Sequence, residues 1–222
     1  MSRNLVVLGL GYVGLPLVEA AVEAGWAVTG FDVSEPVISG LNAGRSHVDD
    51  LSDDTIAGLL SKGFRATSDS SVLATADVAV ICVPTPLADD GGPDLRAVLS
   101  ATRTIAEHLH PGMLVVLEST TYPGTTDEDV RPILEAGGLV AGKDFNLAFS
   151  PERIDPGNPV YGMRNTPKVV GGQTPDCTDR CAEFYATFVE TVVRARGTRE
   201  AEAAKILENT FRHVNIALVN EM

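Results

Sequence analysis

Gly9, Gly11 and Gly14 stand in the series Gly9-Leu10-Gly11-Tyr12-Val13-Gly14, directly after an apolar run at 5–8. Glycines at this spacing do three separate things. The first permits a tight turn, the second lets a bulky anion approach the main chain, and the third lets a helix pack closely on the preceding strand. A helix that begins there points unpaired amide N–H groups at the anion, and a pyrophosphate suits such a turn. Asp32 closes the next apolar run, 18 residues after Gly14. A carboxylate there accepts hydrogen bonds from both ribose hydroxyls and repels a 2′-phosphate. The combination therefore reads as a dinucleotide site that favours NAD over NADP. A glycine turn alone is a weak signal. Strand, glycines, helix, strand and acid in that order make a strong one.

Further candidates follow the later apolar runs. Pro84-Thr85-Pro86 comes after 78–83 and forms a rigid turn that offers a hydroxyl and a carbonyl. Glu118-Ser119-Thr120-Thr121-Tyr122-Pro123-Gly124 comes after 114–117, with hydroxyls able to orient a water or touch a nicotinamide. Ser150-Pro151-Glu152-Arg153 comes after 145–149. Each alone is equally an ordinary turn or cap. Three in succession on one sheet edge point to a site, because ligands of open parallel sheets bind beyond the carboxyl ends of the strands. Lys205 and Asn209 are four apart on one helix face, which Arg212 extends. With Glu202 and Glu208 nearby, spacing alone favours a solvated face there. Cys82, Cys177 and Cys181 form neither a CxxC nor a Cys/His cluster, so no metal is expected. Their low, odd number fits a reducing compartment better than a disulfide framework.

The elements that must position these residues follow from periodicity. Strands are predicted at 5–8, 27–31, 64–66, 78–83, 114–117, 145–149, 168–170 and 191–194, several of them continuously apolar as in strands covered on both faces. Helical stretches lie between them, with Asp94 before Leu95 and Thr174 before Pro175 as helix starts. The expectation is an α/β, Rossmann-like, doubly wound and mainly parallel sheet with right-handed crossovers. The stretch 150–167 lacks periodicity and carries several prolines and glycines, a composition common in functional loops. From 199 to 222 the chain reads as the start of a long central helix. Its stripe of Ala201, Ala204, Leu207, Phe211, Val214 and Leu218 expects a covering surface that this sequence does not supply. The division expected is a dinucleotide-binding domain at 1–198 and a connecting helix at 199–222.

The 222 residues carry a net charge of -13, which opposes binding to nucleic acid or an anionic membrane. The first apolar run is too short for a signal core or a membrane span, so the expected location is the cytoplasm.

Together these segments resemble the UDP-glucose/GDP-mannose dehydrogenase family, and within it the bacterial UDP-N-acetylmannosamine and UDP-N-acetylglucosamine 6-dehydrogenases. The resemblance rests on GLGYVGLP at 9–16, LNAGRS at 41–46, CVPTPL at 82–87, LESTTYPGTT at 117–126, FSPERIDPGN at 149–158, NTPKVVGG at 165–172 and ILENTFRHVNIALVNE at 206–221. It implies oxidation of a sugar C6 alcohol to the uronate with two NAD reductions, in polysaccharide precursor synthesis. A cysteine thiolate holds the intermediate covalently. By the same resemblance Glu152 serves acid/base chemistry, Thr120 holds a catalytic water or the cofactor, Lys205 stabilises an oxyanion and Asn209 assists it. Gly9, Gly11, Tyr12, Val13, Gly14, Asp32, Thr85 and Thr120 correspond to NAD contacts. Arg153, Ile154, Lys205, Asn209 and Arg212 correspond to positions near the UDP-sugar.

Two departures stand out. The family's nucleophile lies in a GGxC segment, which this sequence does not contain, and neither Cys82 nor Cys177 is a good substitute. The expected chain is thus an NAD-binding half without its UDP-binding domain. It would dimerise through the central helix and be inactive alone. The basic residue that often follows the acid of the second strand is replaced by Pro36 and Val37, so NAD is expected to be held less tightly at its adenosine end. Two other readings stay open. One is a non-catalytic NAD-binding module or partner subunit. The other is a β-hydroxyacid dehydrogenase, against which the segments at 117–126 and 149–158 argue.

Overall fold

The structure is a computed structural model that describes residues 3–88, 91–153 and 162–222. In chain order it contains β1 (Asn4–Leu8), α1 (Gly14–Glu23), β2 (Ala27–Phe31), α2 (Glu35–Asn42), α3 (Asp53–Ser61), β3 (Arg65–Thr67), β4 (Val78–Ile81), α4 (Arg96–Ala106), β5 (Leu114–Leu117), α5 (Arg131–Glu135), β6 (Asn146–Phe149), β7 (Lys168–Gly172), α6 (Pro175–Tyr185), β8 (Val192–Arg194) and α7 (Thr198–Glu221). A 3-10 turn at Ser70–Thr75 and a π turn at Thr126–Val130 complete it. All eight predicted strands are present, with ends shifted by no more than two residues.

The strands form one sheet in the order β3-β2-β1-β4-β5-β6-β7-β8. Strands β1 to β6 run parallel, and β7 runs antiparallel to β6 through Ala148↔Gly172 and Phe149↔Gly171. A parallel return needs a crossover element, usually a helix. Among the described residues between β6 and β7 there is none, so the chain comes back in the opposite sense.

Alternation along the buried strands divides the core in two. Leu5 and Val7 face one side with Leu15 and Val18 of α1, Leu41 of α2, Leu59 of α3 and Tyr185 of α6. Val6 and Leu8 face the other with Val98 and Ile105 of α4, Leu134 of α5 and Ala201 of α7. Both faces are covered, which is why the strands read as unbroken apolar runs.

Thr174 caps α6 as its sequence suggests, accepting from the Cys177 N–H at 3.2 Å. The other predicted start is displaced: α4 begins at Arg96, with Leu95 at the cap position. Asp94 still accepts from the Arg96 N–H at 3.0 Å, but it also grips the Arg96 guanidinium and so stands outside the helix.

Helix α7 is fastened at its root. The Glu202 carboxylate is fully buried and accepts from Gly124 N at 2.6 Å, Thr126 N at 2.9 Å and the Thr126 hydroxyl at 2.7 Å. Thr198 and Arg199 add bonds to Asp127. The predicted apolar stripe is buried at Ala201 and half-buried at Ala204; Leu207, Phe211, Val214 and Leu218 are exposed. The sheet ends before it reaches those turns.

Replacing Glu202 with Ala strands buried amide donors in the Gly124–Thr126 turn. We expect Glu202→Ala to lower unfolding free energy by about 2 kcal/mol in chemical denaturation. An unchanged midpoint would show that the root of α7 is held by packing alone.

Candidate active site

The connections from β1 and β4 leave in opposite directions, to β2 on one side and β5 on the other. A crevice opens beyond the carboxyl ends of such a pair. Here it is a cleft of about 640 Å³, lined among others by Gly9, Gly11, Tyr12, Val13, Asp32, Thr85, Thr120 and Glu152. A wider depression of about 1000 Å³ beside α1 contains none of the predicted site residues.

The three glycines are needed for different reasons. Gly9 has φ of 94°, and a Cβ there would lie 2.8 Å from the Cys82 carbonyl oxygen. A Cβ on Gly14, the first residue of α1, would overlap the Gly9 carbonyl. At Gly11 a Cβ would meet no protein atom within 4 Å. Protein packing therefore excludes side chains at the first and third positions and leaves the second open. No side chain caps the N-terminus of α1. An open cradle in front of uncapped amides fits a dinucleotide pyrophosphate.

Asp32 fastens this loop. One carboxylate oxygen accepts from Leu10 N at 2.9 Å and the other from Ser34 N at 2.9 Å. Each oxygen keeps a further acceptor site for a ribose hydroxyl. Val37 lines the same end of the cleft, and so does His47, which the sequence reading did not single out. Across the cleft, the Thr85 hydroxyl donates to the Thr120 carbonyl at 2.7 Å, and that of Ser119 to the Val83 carbonyl at 2.7 Å. The turns after β4 and β5 are thereby tied together.

Behind these turns lies a cluster that periodicity did not reveal. The Lys168 ammonium, at the head of β7, forms a buried ion pair with Glu118 at the end of β5 and lies 3.7 Å from the Glu152 carboxylate. The Tyr185 hydroxyl of α6 donates to the second oxygen of Glu118 at 2.9 Å. Burial, then the like charge of Glu152, push the Glu118 carboxyl up to about 7 against the pull of Lys168 and Tyr185. Lys168 also ends above its ordinary value, because the two carboxylates outweigh its burial. The directions are compatible: two carboxylates share one ammonium, which stays charged while the surplus carboxyl holds a proton toward neutrality.

On α7 the half-buried Lys205 ammonium donates to the main-chain carbonyl of Glu152. Burial holds its pKa below the ordinary lysine value, opposed by Glu152 and Glu208. Of the two acids flanking Lys205, Glu202 is buried at the root of the helix and Glu208 binds Arg153 at 3.0 Å. The face that spacing read as solvated is thus partly engaged. Arg153 also donates to the Pro167 carbonyl at 3.0 Å, so its guanidinium joins Pro167 to α7. Asn209 is partly buried one turn beyond Lys205, and Arg212 is exposed, 3.8 Å from Glu208. Lys205, Asn209 and Arg212 do not line the cleft; Lys205 meets it through Glu152. Ile154 lies outside the described residues. Among those residues, no three His, Cys, Asp or Glu side chains converge as metal ligands would. Cys82, Cys177 and Cys181 are all buried, and burial pushes the Cys82 and Cys181 thiols up.

Residues 3–189 match the UDP-glucose/GDP-mannose dehydrogenase family, NAD binding domain. Protein CapL of Staphylococcus aureus is 43% identical over 100% of this chain and 52% of its own length. The UDP-N-acetyl-D-mannosamine dehydrogenase of Pyrococcus horikoshii is 37% identical over 98% of the chain and 52% of its own length. A solved structure of UDP-D-ManNAc dehydrogenase from the same organism superposes with a TM-score of 0.92 at 38% identity, covering 99% of this chain and 53% of that one. The chain spans about half the length of the curated relatives it matches.

Gly11→Val places a branched side chain in the cradle, where a Cβ meets no protein atom within 4 Å. We expect unfolding free energy to stay within about 1 kcal/mol of the parent and NAD affinity in calorimetry to fall at least about tenfold. Gly14→Ala should instead cost several kcal/mol of stability, on the order of other overpacked sites. Tight NAD binding by the valine variant would mean that the pyrophosphate does not rest there.

Proposed function

This chain belongs to the UDP-glucose/GDP-mannose dehydrogenase family and carries its NAD-binding domain, and from that premise we propose that it is the N-terminal half of a UDP-sugar 6-dehydrogenase. The substrate we propose is a UDP-N-acetylhexosamine, oxidised at C6 to the uronate for polysaccharide precursors. The observation that carries this reading is one cleft that joins the glycine turn to Glu152, whose main-chain carbonyl in turn holds Lys205.

NAD is the cofactor of this domain and supplies the hydride acceptor when bound. The amides of the turn from Gly9 to Val13 and the start of α1 would hold its pyrophosphate, and Asp32 its adenosine ribose. Thr85 and Thr120, already bonded to each other, would border the nicotinamide side. Glu152 is suited to move a proton, being buried beside the charged Lys168. Lys205 offers a partly desolvated cation where negative charge develops on a substrate oxygen, and such a charge lowers the barrier most when water is excluded. Asn209 supplies an amide one turn along. Arg153 and Arg212, both close to Glu208, would shape the substrate face together with Ile154.

We further propose that the catalytic thiol is absent from this chain, since each cysteine it contains is buried. Alone it would act as an NAD-binding module. The exposed Leu207, Phe211 and Val214 of α7 support pairing with a second copy along that helix. The few reduced cysteines support a cytoplasmic setting. Among the described residues, no helix is long and apolar enough to cross a membrane.

The test combines calorimetry with NAD and an absorbance assay for NADH against a panel of UDP-sugars. NAD should bind, and no UDP-sugar should give steady NADH production by the chain alone. Sustained turnover would overturn the assignment of the nucleophile to another part of the protein.

A further inference from the structure

The cofactor of this domain exists in two charge states: the oxidised nicotinamide ring is a cation and the reduced ring is neutral. The rest of the dinucleotide is the same in both forms, so a protein group that treats them differently must act on the ring. The sheet order tells which end of the cleft that is. The glycine turn follows β1, and Asp32 follows β2 on one side of it. The other half of a dinucleotide held there would extend the opposite way, past β4 toward β5 and β6. Glu118 and Glu152 line the cleft on that side, together with Cys82, Thr85 and Thr120.

We propose that the buried Glu118 carboxylate, held between Lys168 and Tyr185 behind the nicotinamide end of the cleft, makes the domain prefer oxidised NAD over NADH. This rests on the reading of the cleft as the NAD site. The groups that face Glu118 are Lys168 on β7, Tyr185 and Cys181 on α6, Cys82 after β4 and Glu152 after β6, with Lys205 of α7 reached through Glu152. Most of these hold one charge state around neutrality. Lys168 stays cationic, and burial keeps the Cys82, Cys181 and Tyr185 protons on. Lys205, whose pKa burial holds below the ordinary lysine value, lies on the far side of the Glu152 main chain and does not line the cleft. Glu118 differs, because burial brings its titration to neutral pH. Above that point it carries a full negative charge with almost no water around it; below it, none. A carboxylate within about 8 Å of the ring, in a medium intermediate between protein and water, changes the relative affinity of a cation by roughly three- to tenfold.

The sign follows. As pH rises through neutrality Glu118 loses its proton, and binding of the cationic ring strengthens relative to the neutral one. His47 lies at the adenosine end with Asp32 and Val37, so it meets the part that the two forms share and cancels in the ratio.

The experiment is calorimetric measurement of the NAD and NADH dissociation constants of this chain from about pH 6 to about pH 9. The ratio of NADH to NAD dissociation constants should rise about three- to tenfold across that range. Glu118→Gln should flatten it. Tyr185→Phe removes a donor that stabilises the carboxylate, so it should keep the rise but move its midpoint to higher pH, which provides a test if the Gln variant does not fold. A ratio independent of pH in the parent chain, or an unaltered slope in Glu118→Gln, overturns the proposal while leaving the cleft as the NAD site. Failure of either form to bind removes the cleft reading and this proposal together.

Discussion

Two adjacent parallel strands whose onward connections diverge cannot cover the space beyond their own carboxyl ends, and the rest of this molecule is arranged around that gap between β1 and β4. The chain turns away at Gly9 toward β2 and at Cys82 toward β5. The two turns approach so closely that a single methyl group on Gly9 would strike the Cys82 carbonyl. Asp32 then bonds back to Leu10, so the walls of the gap are stitched from both directions. What remains open is the face of α1, where the amides have no side-chain cap. A ligand with clustered negative charge completes the helix in a way the protein itself does not.

The buried charges behind β5 and β6 belong to a different economy. Removing an ion from water costs several kcal/mol even after relaxation, and a close counter-ion often only offsets that. The Glu118–Lys168 pair is therefore a poor source of stability but a good determinant of register. It spans from β5 to β7 across the end of β6, where the Ser150 hydroxyl also holds the Val169 carbonyl at 2.9 Å. The antiparallel pairing of β7 with β6 covers only two residue pairs, Ala148↔Gly172 and Phe149↔Gly171, so a side-chain tie at the other end of β7 adds to it. Slipping β7 by one residue would turn Lys168 to the opposite face and leave Glu118 buried without its cation.

The sequence made the scaffold readable because its signals were local. Four-residue apolar runs, the glycine spacing and Asp32 each depend on neighbours a few positions away, and eight strands and the glycine-lined cleft follow from them. The ends of elements were less accessible. Asp94 has the chemistry of a cap, but Arg96 two residues on competes for it and the helix starts later. Partners far apart were not accessible at all. Glu118 and Lys168 are separated by 50 positions, and only the return of β7 brings them together. A charged residue directly abutting an unbroken apolar strand was the available hint, both at Glu118 after 114–117 and at Lys168 before Val169. Glu202 shows the same limit: in sequence it flanks Lys205 as an ordinary surface acid, yet it is fully buried against Gly124 and Thr126.

That anchorage also makes α7 a lever. The helix has 24 residues, about 36 Å of rigid rod, and its buried residues are confined to the first turn and a half. Lys205 sits roughly 5 Å from Glu202 along the axis and Val219 roughly 25 Å from it. Any tilt about Glu202 therefore displaces the turn at Val219 about five times as far as the backbone that carries the ammonium touching Glu152. A body resting on Phe211 and Val219 could swing through several ångströms while the chemistry near the fulcrum stays almost still.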